Sequence, residues 1–115
     1  MALNDTILNI GATAMQAAMT HAQIHTAAPD ASGSNAATTA RLPITWLTAS
    51  GGDMAFTADL NFTGGAASGP ATYLGFWSAL TGGTFYGAYA LTGDQTFNAA
   101  GEYTVTAGTI PGTAT

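Results

Sequence analysis

His21 and His25 stand four residues apart, a spacing that on a continuous helix would put two imidazoles on one face, as in helical metal sites. No glutamate lies between them and no third ligand is within easy reach in sequence. The plainer reading is that the helix breaks near residue 21 and separates the pair, leaving His25 as a partly buried strand residue bonded to a glycine-rich loop. His25, Asp30 and Ser32 hold the residue types of a hydrolytic triad. A turn this short cannot easily deliver triad geometry, no G-x-S-x-G elbow is present, and Asp-Ala-Ser-Gly is ordinary turn chemistry. Glu102 is the only glutamate and sits beside a strand-entry glycine, a poor start for a glycosidase carboxylate pair. Gly82-Gly83-Thr84-Phe85-Tyr86-Gly87 lacks the lysine and the strand–loop–helix setting of a phosphate loop. Without cysteine there is no thiolate nucleophile, disulfide framework or zinc–thiolate site. No catalytic residue, cofactor or metal is expected, and the chain is not expected to be an enzyme.

Two groups have more to offer. Arg41 is the single permanent cation, set against Asp5, Asp30, Asp53, Asp59, Asp94 and Glu102. Its planar fork suits a carboxylate or a set of backbone carbonyls at a subunit boundary; otherwise it is an exposed arginine that solubilises a loop end. Trp46, Tyr73, Trp77, Tyr86 and Tyr89 could form a stacking platform for sugar rings, with Asn61, Asp94 and Asn98 to bond hydroxyls. Aromatics at alternate strand positions more often serve a core or a subunit interface. Arg41, His25, Asp30, Trp46, Trp77 and Tyr86 are the residues expected at an interface.

The elements that must position these residues belong to a chain almost devoid of charge. Of 115 residues, 6% are charged and 47% apolar, where a soluble domain usually carries about a quarter charged residues to solvate it and keep molecules apart. Such a surface suits packing against copies of itself or a larger assembly. A net charge of −5 with one Arg and no Lys argues against nucleic acid, which needs several cations on one face, and against anionic membrane surfaces. No stretch approaches the roughly 20 apolar residues of a membrane span. MALNDTILNIGATAM lacks a positively charged leader segment, so the chain is expected to be made in the cytoplasm and left unprocessed.

One domain is expected over 1–115. Asn4 or Asp5 can cap a helix over 4–20, with Ile7, Leu8, Ala12, Met15, Ala18 and Met19 as its apolar stripe. AQIHTA (22–27) reads as a first strand, and 28–41 as a turn-rich loop without structure, a length that marks docking segments. Fifteen glycines, twenty threonines and eleven aromatics favour short strands and tight turns beyond it. Strands are expected at Ile44–Thr48, Met54–Phe62, Thr72–Ser78, Phe85–Leu91, Gln95–Asn98 and Tyr103–Thr109, with turns at Ser50-Gly51-Gly52, Gly64–Pro70, Thr81–Gly83, Thr92–Asp94 and Ala100-Gly101.

The run His25-Thr26-Ala27-Ala28-Pro29-Asp30-Ala31-Ser32-Gly33-Ser34-Asn35, then Arg41, Trp46, Ala49-Ser50-Gly51-Gly52, Tyr73-Leu74-Gly75-Phe76-Trp77 and Thr81-Gly82-Gly83-Thr84-Phe85-Tyr86-Gly87, resembles a family of small phage proteins usually labelled tail-fibre proteins of phages infecting actinobacteria. The resemblance keeps the motif order over nearly the whole chain. It implies a virion structural protein with a helix followed by a compact β-sandwich. This chain departs from the pattern in carrying fewer charges in the loop after His25-Thr26-Ala27.

The expected fold is therefore mainly β: an antiparallel, jelly-roll-like sandwich of six to eight strands with one N-terminal helix. The expected function is assembly as a virion subunit (minor capsid, decoration or tail appendage), in a closed homo-oligomer with a trimer as first choice, docked onto major capsid or tail proteins. The alternative is a carbohydrate-binding module that contacts a host-surface glycan. The helix or the 28–41 loop is the expected docking element, and a chain beginning near Gln23 is expected to keep its β-domain.

Overall fold

The computed structural model describes residues 3–51 and 53–109. Helix α1 (Asp5–Ala18) begins where the Asn4 side chain accepts a hydrogen bond from the Ile7 amide at 3.2 Å, with Asp5 in the first turn beside the positive end of the helix dipole. It ends at Ala18, and the Met19 amide closes on Met15 O at 2.8 Å before the chain straightens into a strand. Ala12, Met15 and Met19 face the core, and the Gln16 amide donates to Leu47 O at 2.8 Å.

Eight strands follow: β1 (His21–His25), β2 (Leu42–Pro43), β3 (Ala55–Phe56), β4 (Leu60–Phe62), β5 (Tyr73–Trp77), β6 (Phe85–Ala90), β7 (Tyr103–Val105) and β8 (Gly108–Thr109). They form a four-stranded sheet in the order β2-β1-β5-β6 and two two-stranded ladders, β3-β8 and β4-β7. All pairs are antiparallel. With one helix on these sheets, the fold is mainly β and sandwich-like.

The central strands β1 and β5 pair over five residues, Ala22 opposite Phe76, Ile24 opposite Leu74 and His25 opposite Tyr73. Because side chains alternate between faces, Ala22, Ile24, Leu74 and Phe76 share one face. They pack with Met54, Phe56, Leu60, Phe62, Leu91, Phe97 and Val105. Burying each large apolar side chain there contributes about 1.5–3 kcal/mol. Gln23, His25, Gly75 and Trp77 share the other face, which is covered as well. Both strands are therefore buried on two sides, while the edge strand β6 alternates between half-buried and exposed.

The cover is the 28–41 segment, expected to be unstructured. Its backbone returns antiparallel beside β1, through Thr26 N to Asn35 O (2.8 Å) and Ala37 N to Ile24 O (2.9 Å), before joining β2 on the same edge. Asp30 fixes the tip: its Oδ1 accepts from the Ser32 amide (2.9 Å) and the Ser32 hydroxyl (2.6 Å). Gln23 and Thr39 close the far end in a buried pair of side-chain bonds.

Strands β1, β5 and β6 lie within one or two residues of expectation; the others need correction. Ile44–Thr48 is not a strand. Pro43 has no amide to donate and ends β2 after two residues, and only Trp46 bridges Phe56. Met54–Phe62 divides at Thr57–Asp59, because its halves pair with different partners, β3 with β8 and β4 with β7. Ala58 lies exposed in that break. Tyr103–Thr109 divides too, where the Ala107 amide bonds Asp59 Oδ1 (2.8 Å) in place of a ladder partner. Gln95–Asn98 keeps a single bridge, Thr96 to Pro70; the Asp94 and Asn98 side chains capture nearby amides and bend the backbone on either side. Gly52 of the expected Ser50-Gly51-Gly52 turn, and residues 110–115 of the expected domain, lie outside the described residues.

Candidate functional site

The covered face of the large sheet brings together three of the expected interface residues. Trp77 and His25 stack with ring planes 4° apart and centroids 6.3 Å apart. Phe85 tilts against both, at 5.2 Å from Trp77 and 5.6 Å from His25. The Arg41 guanidinium lies over the indole, 3.7 Å from its centroid, a favourable place for a cation. Its Nη1 donates to Ala79 O (2.9 Å) and Gly82 O (2.7 Å), so the fork clamps backbone carbonyls of its own chain in the β5–β6 connection.

His25 is wholly buried. Its Nδ1 lies 2.8 Å from Ser34 O; a carbonyl only accepts, so Nδ1 carries the proton. Nε2, like Trp77 Nε1, has no hydrogen-bond partner among the described residues. Burial pushes the imidazole below its ordinary value, the Ser34 bond opposes this, and the Arg41 charge adds to the lowering. The ring is held neutral between the Trp77 and Phe85 rings.

Two glycines make that stack possible. A Cβ on Gly75 would sit 2.4 Å from His25 Nε2, and one on Gly33 would sit 2.5 Å from the Trp77 ring. Gly33 also holds φ at +79°, which a side chain would oppose.

The remaining expected residues lie apart from this stack. Asp30 and Tyr86 line a hollow of about 410 Å³ between the 28–31 turn and β6. Asp30 is held below the usual carboxylate range, first by the Ser32 hydroxyl and then by neighbouring amides. Trp46 sits on the core face against Phe76, its Nε1 donating to Met19 O at 2.9 Å.

The hydrolytic arrangement does not form. Ser32 donates to Asp30 while His25 bonds the Ser34 carbonyl and is closed to solvent. His21 and His25 occupy one extended strand, where four residues span roughly 13 Å, too far to share an ion. Among the described residues no three acids or histidines are grouped to hold a metal.

A second feature is an open polar groove of about 650 Å³ beside β4 and β7. Asn61, Asp94 and Asn98, expected as hydroxyl partners for a sugar, all line it, together with Glu102 and Tyr103. Hydrogen bonds hold these side chains: Thr104 donates to Asn61 Oδ1 (2.7 Å), Asn98 Nδ2 to Glu102 Oε1 (3.3 Å), the Tyr103 hydroxyl to the Asp94 backbone carbonyl, and the Thr96 amide and hydroxyl to Asp94 Oδ1 (3.0 and 2.9 Å). The tryptophans expected to stack on the sugar are elsewhere.

Sequence reasoning did not find Phe85, Ser34 or the Gly33 and Gly75 contacts. The signal was a glycine inside a strand, Tyr73-Leu74-Gly75-Phe76-Trp77, with Tyr73 and Trp77 on either side of it on the same face, a pattern that marks close approach of another group.

A family model described as Podophage GP4 fiber I protein gp80 matches residues 2–113. No curated protein and no solved structure matches the chain.

Proposed function

The chain belongs to the Podophage GP4 fiber I protein gp80 family, a phage fibre type of virion protein, and on that premise we propose that it is a self-assembling tail-appendage subunit that works by packing and not by catalysis. The observation that carries this reading is an almost uncharged surface on which Leu3, Ile7, Ile10, Leu47, Leu80 and Tyr86 stand exposed. Copies meeting through such surfaces bury apolar area at roughly 25 cal/mol per Å² with little charge to desolvate. In this reading the Arg41–Trp77–His25 stack holds the 28–41 segment rigid, and the hollow between Asp30 and Tyr86 is a contact site for neighbouring virion proteins. Quantitative mass spectrometry of purified particles tests it. The subunit is expected at a fixed, small copy number; hundreds of copies per particle would mark capsid decoration instead and count against the tail placement. Absence from particles would refute it.

The polar groove supports a second reading, contact with a neutral, hydroxyl-rich glycan of the host surface. Amides, carboxylates and hydroxyls held in fixed rotamers are what a sugar needs to exchange its water bonds for protein bonds. Polysaccharide binding that is lost on Asn61→Ala but kept on Trp77→Phe would support it. Loss on the tryptophan change alone would count against the groove.

A further inference from the structure

Helix α1 carries two apolar stripes, and only one of them is used within the subunit. Leu8, Ala12, Met15 and Met19 turn toward the β-layers: Ala12 and Met19 are buried, and Leu8 and Met15 half-buried. Ile7, Ile10, Ala14 and Ala17 are exposed, and Leu3, just ahead of the cap, continues their spacing. Leu3, Ile7 and Ile10 leave 55%, 48% and 59% of their surface in solvent. At about 100° per residue the two stripes lie roughly 150° apart around the helix.

The outer stripe runs 3, 7, 10, 14, 17. Alternating steps of four and three residues make the a/d repeat with which one helix packs on another. Within the helix, Ile10 and Ala17 fall at d, and Ile7 and Ala14 at a. The helix's one charge, Asp5, falls two residues from Ile7 and so on the far side from the stripe. Two copies of a chain with net charge −5 can therefore join here without bringing like charges together. Beside Ile10, Ala14 and Ala17, a crevice of about 490 Å³ extends the apolar surface to Ala49, giving a partner's isoleucines a place to enter. A helix of this length is marginal by itself, and its inner face buries only short stretches against the body.

We infer that the Ile7–Ile10–Ala14–Ala17 stripe is the seam where a second copy of this chain packs, helix against helix. The inference rests on the reading of the chain as a self-assembling subunit and names the surface that does it. The stripe carries no charged residue and adjoins an apolar crevice, so the same stripe of a second copy fits it without charge repulsion.

The cysteine-free sequence makes the test clean. Ile10→Cys and Ala14→Cys are oxidised singly and as an equal mixture, which covers both parallel and antiparallel helices, and Leu80→Cys serves as an exposed apolar control. Disulfide-linked dimers are expected from the seam positions in most of the protein and from Leu80→Cys in little of it. In light scattering, Ile7→Glu with Ile10→Glu is expected to bring the mass down to that of one subunit, while circular dichroism keeps the β signal. If the wild type is an oligomer but the seam cysteines do not link, the seam is wrong and self-assembly stands. The seam is equally wrong if the double variant stays assembled. A wild type that is a single subunit at high concentration overturns both.

Discussion

The imidazole of His25 and the indole of Trp77 lie in nearly parallel planes, 4° apart, with Arg41 on the indole and the imidazole sealed from water. This arrangement gives the 28–41 segment its place. His25 holds the Ser34 carbonyl, Trp77 receives Gly33, and Arg41 ties the end of the segment to the β5–β6 connection. An aromatic and cationic set that could have served a ligand instead fastens a long loop to the sheet.

Acid should loosen that fastening. The folded state lowers the affinity of His25 for a proton, so below its ordinary value of 6.5 the unfolded chain binds more protons than the folded one. Stability is then full above that value and declines as pH falls toward the lower folded pKa. Urea unfolding at pH 7.5 and 5.0 should show the wild type weaker at the lower pH, and His25→Asn should show a smaller difference whatever its absolute stability. An equal pH response in both would contradict the assignment.

Space at Gly75 is the tightest test of the stack. The added methyl of Gly75→Ala would press on His25 Nε2 at 2.4 Å, between two central strands that cannot easily part. A loss of about 1–3 kcal/mol is expected, read from the urea midpoint at an unchanged slope. A neutral result would mean that the strands and ring yield more than a packed core allows.

For Arg41 the informative change is to lysine, which keeps the charge and loses the planar fork. Arg41→Lys should cost about 1 kcal/mol of subunit stability and leave the assembled mass unchanged, because both carbonyls it holds are in its own chain. A change in mass without a change in stability would place Arg41 at an intersubunit contact.

Truncation separates helix from sheet. A chain beginning at Thr20 keeps all of β1 and should retain the β signal at reduced stability, since Ala12 and Met19 leave the core. Starting near Gln23 removes His21 and Ala22, the partners of Trp77 and Phe76 in the central pair. That chain should not fold, contrary to what the sequence suggests. Circular dichroism of the two fragments distinguishes the outcomes.

Much of this fold was legible in the sequence. The Asn4 cap, the glycine turns and the runs at Tyr73–Trp77 and Phe85–Ala90 declared themselves through local chemistry. The divided strands did not. Nothing between Met54 and Phe62 says that its halves pair with two separate distant segments, because pairing partners are a property of the whole chain. Alternation was also silent for His21–His25, a strand buried on both faces. The six interface candidates divided in a way that spacing could not anticipate: Arg41, His25 and Trp77 met in one stack, Asp30 and Tyr86 shared a hollow, and Trp46 joined the core face. On α1, the apolar positions that read as a single broad stripe proved to be two, one inward with Met15 and one outward with Ile7.

The central claim is that copies of this chain cover one another's uncharged faces. Light scattering on the purified protein after size exclusion tests it most directly. The account predicts a single species at a whole-number multiple of 11.4 kDa that persists on dilution. A lone 11.4 kDa particle at high concentration would contradict it.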